Sequence, residues 1–379
     1  MNVLPRLFVT AESVDYHLLM LHKLLVFAVF SLSYPAIAMA DEKSELTQKV
    51  EAALPPHIGA CVLAIDGGRL VFEHATGLAN VETKSPCTTA TNFRMASVSK
   101  QFTATAVLLL VDRRKLSLDD TLDKFFPGFP KYGRKITVKH LLTHTSGLPA
   151  YDEDLIPKGT TLQLDDLDVL HILMDTKEPR FAPAEKWEYS NSGYAILGLI
   201  VEIVADKPFH EFMLDQVLKP LGMDDSVLYQ RGLNEVTHRA FGHTREKNKW
   251  VQTDQSLTSA IRGDGAIYTS LLDYQKWLAG IEKQKLLSPE SYKAMFTPHV
   301  VTDRDGNHYG YGWFIDSYRN EPRIHHNGDS QGFRLCAQRF PKRNAAILIQ
   351  INNNLEGAPD EMTKIGERVA DLLIFNREK

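Results

Sequence analysis

The sequence predicts an α+β fold, in which an antiparallel sheet flanked by terminal helices carries an inserted, mostly helical domain. Strand-like segments occur near both ends of the chain, whereas most apolar segments between them have helical periodicity. The 379 residues, of which 44% are hydrophobic, are enough to bury a large core. We therefore predict a sheet domain of residues 41–90 plus 263–379 and a helical domain of residues 91–262, which together form one unit.

Residues 1–40 have the pattern of a leader that is removed on export. Lys23 precedes the apolar run 24–30, and small residues lead up to Ala40. Translation is expected to start at Met20, with cleavage after Ala40, because the preceding residues would make an unusually long leader head. The apolar run is too short to span a bilayer. We therefore predict a periplasmic or secreted protein with no stable membrane anchor.

The two ends of the mature chain supply the predicted sheet and its flanking helices. Residues 44–54 have one apolar helical stripe, and residues 61–65 and 70–72 form a hairpin around a Gly-Gly turn. Residues 333–340 and 345–351 form a second strand pair, and another amphipathic helix follows them. Four segments between these strands are predicted to be helical: 102–111, 167–174, 194–204 and 209–218.

Charge and ligand spacing argue against several classes of partner. Lys and Arg number 43 against 47 Asp and Glu, a net charge of -4, so no extended basic face is available for nucleic acid or anionic lipid. His140 and His144 stand one helical turn apart, but the glutamate of a zinc-binding His-Glu-x-x-His motif is missing. We predict no metal and no cofactor, and interpret both histidines as structural.

The three cysteines are odd in number and have no metal-ligand spacing. We predict that Cys61, Cys87 and Cys336 are buried free thiols. A Cys61–Cys336 disulfide is the less favoured alternative, which export would permit.

Ser97 and Lys100 form a pair at the head of the apolar segment 102–111. On a helix their spacing places both side chains on one face, so an unprotonated Lys100 amine can take the proton of the Ser97 hydroxyl. A serine at a helix start also has its backbone amide directed toward bound anions, where it would stabilise an oxyanion. Ser99 cannot replace Ser97, because its side chain faces away from Lys100. The pattern indicates acyl-transfer chemistry; the alternative is a capping serine beside a solvated lysine.

Two further motifs follow in order, Tyr189-Ser190-Asn191 and His326-Asn327-Gly328. With the serine–lysine pair they make a three-part signature that resembles the penicillin-recognising serine hydrolases, in particular the class C β-lactamase and D-Ala-D-Ala peptidase branch. The resemblance runs from about residue 59 to residue 354. It implies a β-lactamase/transpeptidase-like architecture, with one catalytic unit whose active site lies in the cleft between the sheet and the helical part.

The resemblance and the side-chain chemistry together assign roles to the motif residues. Ser97 is the expected nucleophile, and either Lys100 or Tyr189 is the general base. Asn191 has an amide able to hold Lys100 and a substrate carbonyl at once. The resemblance places Gly328 in the substrate site and implies that the backbone N–H of Asp329 is the second oxyanion donor.

His326 departs from the β-lactamase pattern, in which lysine usually opens the third motif, and resembles some peptidases and esterases of the branch. A fixed cation is thereby replaced by one expected to titrate near neutral pH. Arg334 or Arg262 could restore a partner for a substrate carboxylate through a bidentate contact. The alternative is that both arginines are structural.

We therefore predict a serine acyl hydrolase that works through an acyl-Ser97 intermediate. Its substrate is expected to be a small molecule or peptide, namely an amide or ester of the β-lactam or cell-wall peptide class. Two alternatives remain open: a carboxylesterase acting on neutral acyl esters, and a penicillin-binding or cell-wall-binding module that hardly turns over. A Gly-x-Ser-x-Gly match at residues 328–332 is rejected, because that motif needs a strand-to-helix turn and a later histidine.

Overall fold

The computed structural model describes residues 44–152, 155–355 and 360–376. The predicted leader, the Met20 start and the cleavage after Ala40 lie outside the described residues. Residues 44–53 form a helix, α1, as the apolar stripe predicts. This helix belongs to a first unit, Met1–Ala53, and all other elements belong to a second compact unit, Leu54–Lys379.

The second unit contains fourteen described strands. They are β1 (Gly59–Asp66), β2 (Arg69–Asn80), β3 (Ser85–Pro86), β4 (Phe93–Arg94), β5 (Val227–Leu228), β6 (His243–Glu246), β7 (Lys249–Gln252), β8 (Ile267–Thr269), β9 (Val300–Val301), β10 (His308–Tyr309), β11 (Phe314–Tyr318), β12 (Glu321–Ser330), β13 (Phe333–Phe340) and β14 (Ala345–Ile351).

Its described α-helices are α2 (Lys100–Asp112), α3 (Leu122–Phe125), α4 (Val138–Leu142), α5 (Asp166–Asp175), α6 (Asn191–Ala205), α7 (Phe209–Met213), α8 (Arg262–Gly265), α9 (Leu271–Glu282), α10 (Pro289–Met295) and α11 (Glu361–Ala370). Short 3-10 turns cover Ala96–Ser99, Lys131–Lys135, Lys219–Leu221 and Pro341–Arg343, and single π-helical turns cover Leu214–Leu218 and Asp371–Phe375.

Nine strands form one antiparallel sheet in the order β3-β2-β1-β14-β13-β12-β11-β10-β9. Strands β1 and β14 come from opposite ends of the unit and are neighbours in this sheet, where they pair from Ala60↔Ile351 to Ile65↔Ala346. Every residue of β14 is buried, in keeping with its unbroken apolar sequence. Gly67 and Gly68 have φ of 56° and 74°, the left-handed conformation that a two-residue hairpin between β1 and β2 requires. The predicted antiparallel sheet is confirmed.

Two buried helices of the helical part, α2 and α6, carry the first two motifs at their N-terminal ends. The first eleven residues of α2 are buried, and residues 192–201 of α6 are buried as well. The two helices pack against each other. Because the Ser97 turn leads directly into α2 and Asn191 is the first residue of α6, this packing brings two of the three motifs together.

The predicted helices and strands are confirmed, with shifts of their bounds. The largest shift is at 70–72, which extends to β2, and 209–218 divides into α7 and a π-helical turn. A three-stranded sheet in the order β4-β8-β5 joins segments from both predicted domains, and the domain bounds remain a prediction. The three cysteines are buried and free, as predicted. Within the described ranges, no helix combines the length and the apolarity that a membrane crossing demands.

Candidate active site

Ser97 lies in the 3-10 turn that leads into α2. Its side chain is partly exposed, whereas Ala96, Val98, Ser99 and Lys100 are buried. Ala96 has φ of 46°, a left-handed conformation that costs a residue with a Cβ atom about 1–2 kcal/mol. Local strain of this kind concentrates at functional sites. The turn therefore holds one hydroxyl at the surface of an otherwise buried segment.

The Lys100 side chain is fully buried and reaches three oxygen atoms. Its Nζ lies 3.1 Å from Ser97 Oγ, 2.8 Å from Asn191 Oδ1 and 3.1 Å from the backbone oxygen of Asp264. When Lys100 is protonated it can donate to all three. When it is neutral, its lone pair can accept the Ser97 proton across the same contact. The structure thus places the predicted serine, lysine and asparagine together.

Tyr189 lies on the other side of Lys100. The Lys100 Nζ is 5.0 Å from the centroid of the Tyr189 ring and 5.5 Å from that of Tyr194, distances at which an ammonium is attracted to an aromatic face. The Tyr189 hydroxyl is buried and has no hydrogen-bond partner among the described residues. The two candidate general bases, Lys100 and Tyr189, therefore lie next to each other, and the geometry is compatible with either as the base.

The amide of Asn191 is held at both ends. Its Oδ1 accepts from Lys100, and its Nδ2 donates to Asp152 Oδ2 at 2.7 Å. This arrangement leaves one Nδ2 hydrogen for a substrate carbonyl. Sequence analysis did not identify Asp152, which stands outside the three motifs and is marked by no pattern of its own.

Asp264 is a second site residue whose role sequence analysis missed. Its Oδ2 accepts a 2.7 Å hydrogen bond from the Tyr151 hydroxyl, and its backbone oxygen accepts from Lys100. Burial raises the pKa of the Asp264 carboxyl to about 6, and the nearby Lys100 charge opposes that rise. A signal was present, because the Gly263-Asp264-Gly265 segment belongs to the family resemblance.

Ser97 opens onto a polar cavity of about 140 Å³. Its lining includes Asn191, Asp152, Asp264 and Asp329, together with Arg94. Arg94 is 3% exposed and donates through Nη2 to the Ser259 backbone oxygen at 2.9 Å. A larger cavity of about 620 Å³ lies around residues 229–241 and contains none of the motif residues. The motif residues, rather than cavity size, identify the candidate active site.

The sequence and the fold that carry this site have counterparts among known proteins. The family model described as Beta-lactamase matches residues 47–371. The chain belongs to the beta-lactamase family. Its fold is the β-lactamase fold, a mixed α+β architecture, so the predicted fold class is confirmed along with the predicted membership of the penicillin-recognising serine hydrolases.

Several proteins similar to this chain are penicillin-binding proteins. It is 28% identical over 330 residues to penicillin-binding protein 4* of Bacillus subtilis (strain 168), a match covering 83% of this chain and 72% of the relative. The structure of a penicillin-binding protein from Bacillus halodurans has 29% identity and a TM-score of 0.75, over 84% of this chain and 98% of the other. That of the octameric penicillin-binding protein homologue from Pyrococcus abyssi has 26% identity and a TM-score of 0.76, over 89% and 77%.

His326 does not have the solvent access or the charge that the sequence predicted for it. The side chain is 2% exposed, and the cavity-lining residues in the described part of the chain do not include it. Its Nδ1 lies 2.6 Å from the Asn327 carbonyl oxygen and its Nε2 lies 3.2 Å from the Tyr309 hydroxyl, a pattern that suits a neutral ring with its proton on Nδ1. Burial, followed by the positive charge of Lys100, lowers the pKa of His326 well below its usual value. The prediction that His326 is a cation that titrates near neutral pH is therefore wrong.

The two arginines predicted as carboxylate partners are already engaged. Arg334 Nη1 lies 2.7 Å from Asp329 Oδ1 and donates to the backbone oxygens of Ser330 and Phe333. Arg262 is buried and donates through Nε to Asp166 Oδ2 at 2.8 Å. Arg262 is thus structural, and Arg334 would have to exchange Asp329 for a substrate carboxylate.

The residues considered as alternative nucleophiles or zinc ligands make structural contacts instead. The Ser99 hydroxyl accepts from the Ile267 N–H at 3.1 Å, away from Lys100. His140 caps the start of α4 by accepting from the Thr137 N–H. Residues 328–332 form the end of β12 and its tight turn into β13, so the rejection of a nucleophile elbow is confirmed. Across the described ranges, no cluster of three His, Cys, Asp or Glu side chains suits a metal ion.

Gly328 brings the third motif against the Ser97 turn. A Cβ atom added to Gly328 would lie 2.5 Å from the Met95 backbone oxygen and 3.3 Å from the Ala96 Cβ. The absence of a side chain therefore lets β12 approach the segment that precedes Ser97. This contact accounts for the glycine sterically, and it places the backbone of residue 329 beside the serine turn.

We expect Gly328→Ala to displace the Ser97 turn. Overpacking against a backbone atom should lower the free energy of unfolding by about 1–3 kcal/mol and slow acylation of Ser97. Urea unfolding and the rate of labelling by a fluorophosphonate measure the two effects. Gly193→Ala is the matched control, because a Cβ there would have no neighbour closer than 3.4 Å. Equal labelling rates in wild type and Gly328→Ala would contradict this role of the contact.

Proposed function

We propose that the protein is an acyl hydrolase that forms and then cleaves an acyl-Ser97 intermediate. The observation that carries the proposal is the 3.1 Å contact between Lys100 Nζ and Ser97 Oγ, in a buried network that Asn191 and Asp264 complete. A nucleophile and a base within hydrogen-bond reach, with the base oriented by further groups, is the arrangement that covalent catalysis needs.

In the proposed reaction, Ser97 Oγ attacks the substrate carbonyl carbon while its proton passes to Lys100 or Tyr189. The backbone N–H groups of Ser97 and Asp329 would donate to the resulting oxyanion. The same proton then passes to the leaving amine or alcohol, and the acyl–Ser97 ester forms. Water then attacks the carbonyl carbon of this ester and loses a proton to the same base, which returns the proton to Ser97 Oγ as the acyl–oxygen bond breaks and the acid leaves. Asn191 Nδ2 would donate to a carbonyl oxygen of the acyl group.

We propose an amide or ester of the β-lactam or cell-wall peptide class as substrate, which similarity to the penicillin-binding proteins supports. The cavity's charges favour a second candidate, carboxylesterase activity on neutral esters. Its described lining has one cation, Arg94, against Asp152, Asp264 and Asp329, and the cations behind it, Lys100 and Arg334, already contact Ser97 and Asp329. With His326 uncharged, little net attraction is left for a substrate carboxylate.

His326 leads to a pH prediction. Its pKa is lowered in the folded protein, so the ring stays neutral above that lowered value and changes no charge between about pH 6 and 8, the range around the usual value. We expect the kcat/KM for a carboxylate-bearing amide, divided by that for a neutral ester, to have the same pH dependence over this range in wild type and in His326→Lys. Ionisation of Asp264, whose pKa is about 6, would lower the ratio in both. A ratio that falls with rising pH in wild type and becomes flat in His326→Lys would restore His326 as a carboxylate partner.

A substrate panel tests the proposed function. Turnover of p-nitrophenyl esters, a chromogenic cephalosporin and D-Ala-terminated peptides should occur for at least one class and be lost in Ser97→Ala. Turnover of the esters alone would favour the carboxylesterase. One equivalent of acylation without steady-state turnover would instead indicate a penicillin-binding or cell-wall-binding module.

We also propose that the protein is exported and acts in the periplasm or outside the cell. The proposal depends on the leader pattern before Ala40. N-terminal sequencing of the exported protein should begin at Asp41. Recovery of the protein with residues 20–40 still attached would contradict it.

A further inference from the structure

His144 is a buried residue next to the candidate site to which the reaction above gives no part. It follows α4 in a left-handed conformation, with φ of 58°, and is 0% exposed. Its ring centroid lies 4.4 Å from that of Tyr189, 4.6 Å from that of Tyr309 and 5.1 Å from that of Tyr194. The Tyr189 and His144 rings are inclined by only 32°, so one face of the tyrosine packs on the histidine.

His144 also binds the backbone on both sides of Tyr189. Its carbonyl oxygen accepts from the Glu188 N–H at 3.0 Å, and its Nδ1 accepts from the Ser190 N–H at 3.0 Å. Ring contact and two hydrogen bonds from one residue thus hold three consecutive residues, 188–190. The Tyr189 hydroxyl itself has no partner among the described residues, so packing rather than a hydrogen bond of its own holds the phenol. The His144 ring, at 4.4 Å, lies closer to the Tyr189 ring than His326 at 6.1 Å or Trp187 at 6.4 Å.

The hydrogen bond to Ser190 requires Nδ1 to be an acceptor, which makes the ring a neutral tautomer with its proton on Nε2. Burial, then the charges of Lys100 and His326, lower the pKa of His144 well below its usual value. A protonated His144 would lose the Ser190 contact and place a second cation near Lys100. A proton-carrying role is therefore disfavoured, and a role in placing Tyr189 remains.

We propose that His144 is a positioning residue for Tyr189: it holds the phenol over Lys100 through the ring contact and the Ser190 hydrogen bond. The inference rests on the proposed acyl-Ser97 reaction and on the alternative in which the Tyr189 hydroxyl takes part in its proton transfer. A small displacement of such a group costs up to about a hundredfold in rate. Substitution of His144 should therefore lower kcat and leave KM nearly unchanged.

The test is a double-mutant cycle between His144→Asn and Tyr189→Phe. Asparagine tolerates the left-handed conformation, and its Oδ1 can replace Nδ1 as acceptor, but it removes the ring. On the substrate that wild type turns over best, we expect His144→Asn to lower kcat at least about tenfold. In the Tyr189→Phe background the same substitution should have little further effect, because the hydroxyl it positions is already absent.

His140→Asn is the matched control, since His140 lies four residues earlier and its ring bonds the backbone of Thr137 and Lys135 at the start of α4. It should leave kcat near the wild-type value. Should His144→Asn fail to fold, His144→Phe tests the other contact, because it keeps a ring and loses the Ser190 acceptor; it too should lower kcat in the Tyr189 background alone. Thermal unfolding of each variant separates loss of fold from loss of rate.

The outcomes distinguish the inference from the function on which it rests. An equal loss of kcat on substituting His144 in both backgrounds, or full activity of Tyr189→Phe, would overturn the positioning role while leaving the acyl-Ser97 reaction standing. Absence of any acylation of Ser97 in wild type would overturn the proposed function and the inference with it.

Discussion

Ser97→Ala should abolish covalent labelling by a fluorophosphonate or a penicillin probe and lower kcat by about 10⁴-fold or more, the scale of removing a catalytic serine. The reason is that Ser97 combines a partly exposed hydroxyl, a position at the start of a helical segment and a 3.1 Å contact with Lys100. Mass spectrometry of the labelled protein, with the modified peptide sequenced, measures the effect.

Two other serines are informative controls for this experiment. Ser330 lines the same cavity, and Ser99 lies in the same turn with its hydroxyl bonded to the Ile267 N–H. We expect Ser330→Ala and Ser99→Ala to keep their label, although Ser99→Ala should lose about 1 kcal/mol of stability with its buried hydrogen bond. Labelling of Ser97→Ala at the wild-type rate would show that another residue is the nucleophile.

Lys100→Ala and Tyr189→Phe should each lower kcat by at least about a hundredfold, the usual scale of a positioned acid or base. Lys100 Nζ lies 3.1 Å from Ser97 Oγ and 5.0 Å from the centroid of the Tyr189 ring. Lys100→Met is a useful companion, because it fills the buried volume without a charge. It should be as inactive as Lys100→Ala but closer to wild type in thermal stability.

The two substitutions also separate the alternatives for the base. Near-full activity of Tyr189→Phe would leave Lys100 to act alone and return Tyr189 to a packing role. Activity of Lys100→Met within a few-fold of wild type would make Tyr189 the base. Rates from steady-state turnover and from single-turnover acylation are needed, because a change confined to deacylation would otherwise be taken for a change in Ser97 activation.

The neighbourhood of Ser97 shows which site contacts are local. The Ser97–Lys100 contact was predictable, because residues three apart meet on one face of a helix whatever the rest of the chain does. By contrast, the partners of Asn191 and Asp264 lie far along the chain: Asp152 and Tyr151 are brought to them only by folding. No periodicity or motif spacing reports such a pair.

His326 illustrates a second limit. Its place in the third motif was predictable, but its charge was not, because a histidine titrates near neutral pH only while water can reach it. In the fold the ring lies among Tyr309, Phe314 and Tyr189 and near Lys100, and burial there disfavours the protonated form. The state of Arg334 was equally unpredictable from the sequence, because its 2.7 Å contact with Asp329 forms only when β12 and β13 pair.

By itself, the sequence determined the α+β class, the antiparallel sheet built from both ends of the unit, the buried helix after Ser97 and the serine–lysine pair. These follow from hydrophobic periodicity, turn chemistry and helical spacing, which act over a few residues. Only the tertiary structure decided that His326 is buried with a lowered pKa, that Arg262 is structural, that Asp152 and Asp264 border the cavity and that His144 packs on Tyr189. Those properties depend on desolvation and on hydrogen bonds between distant segments, so they exist only once the chain is folded.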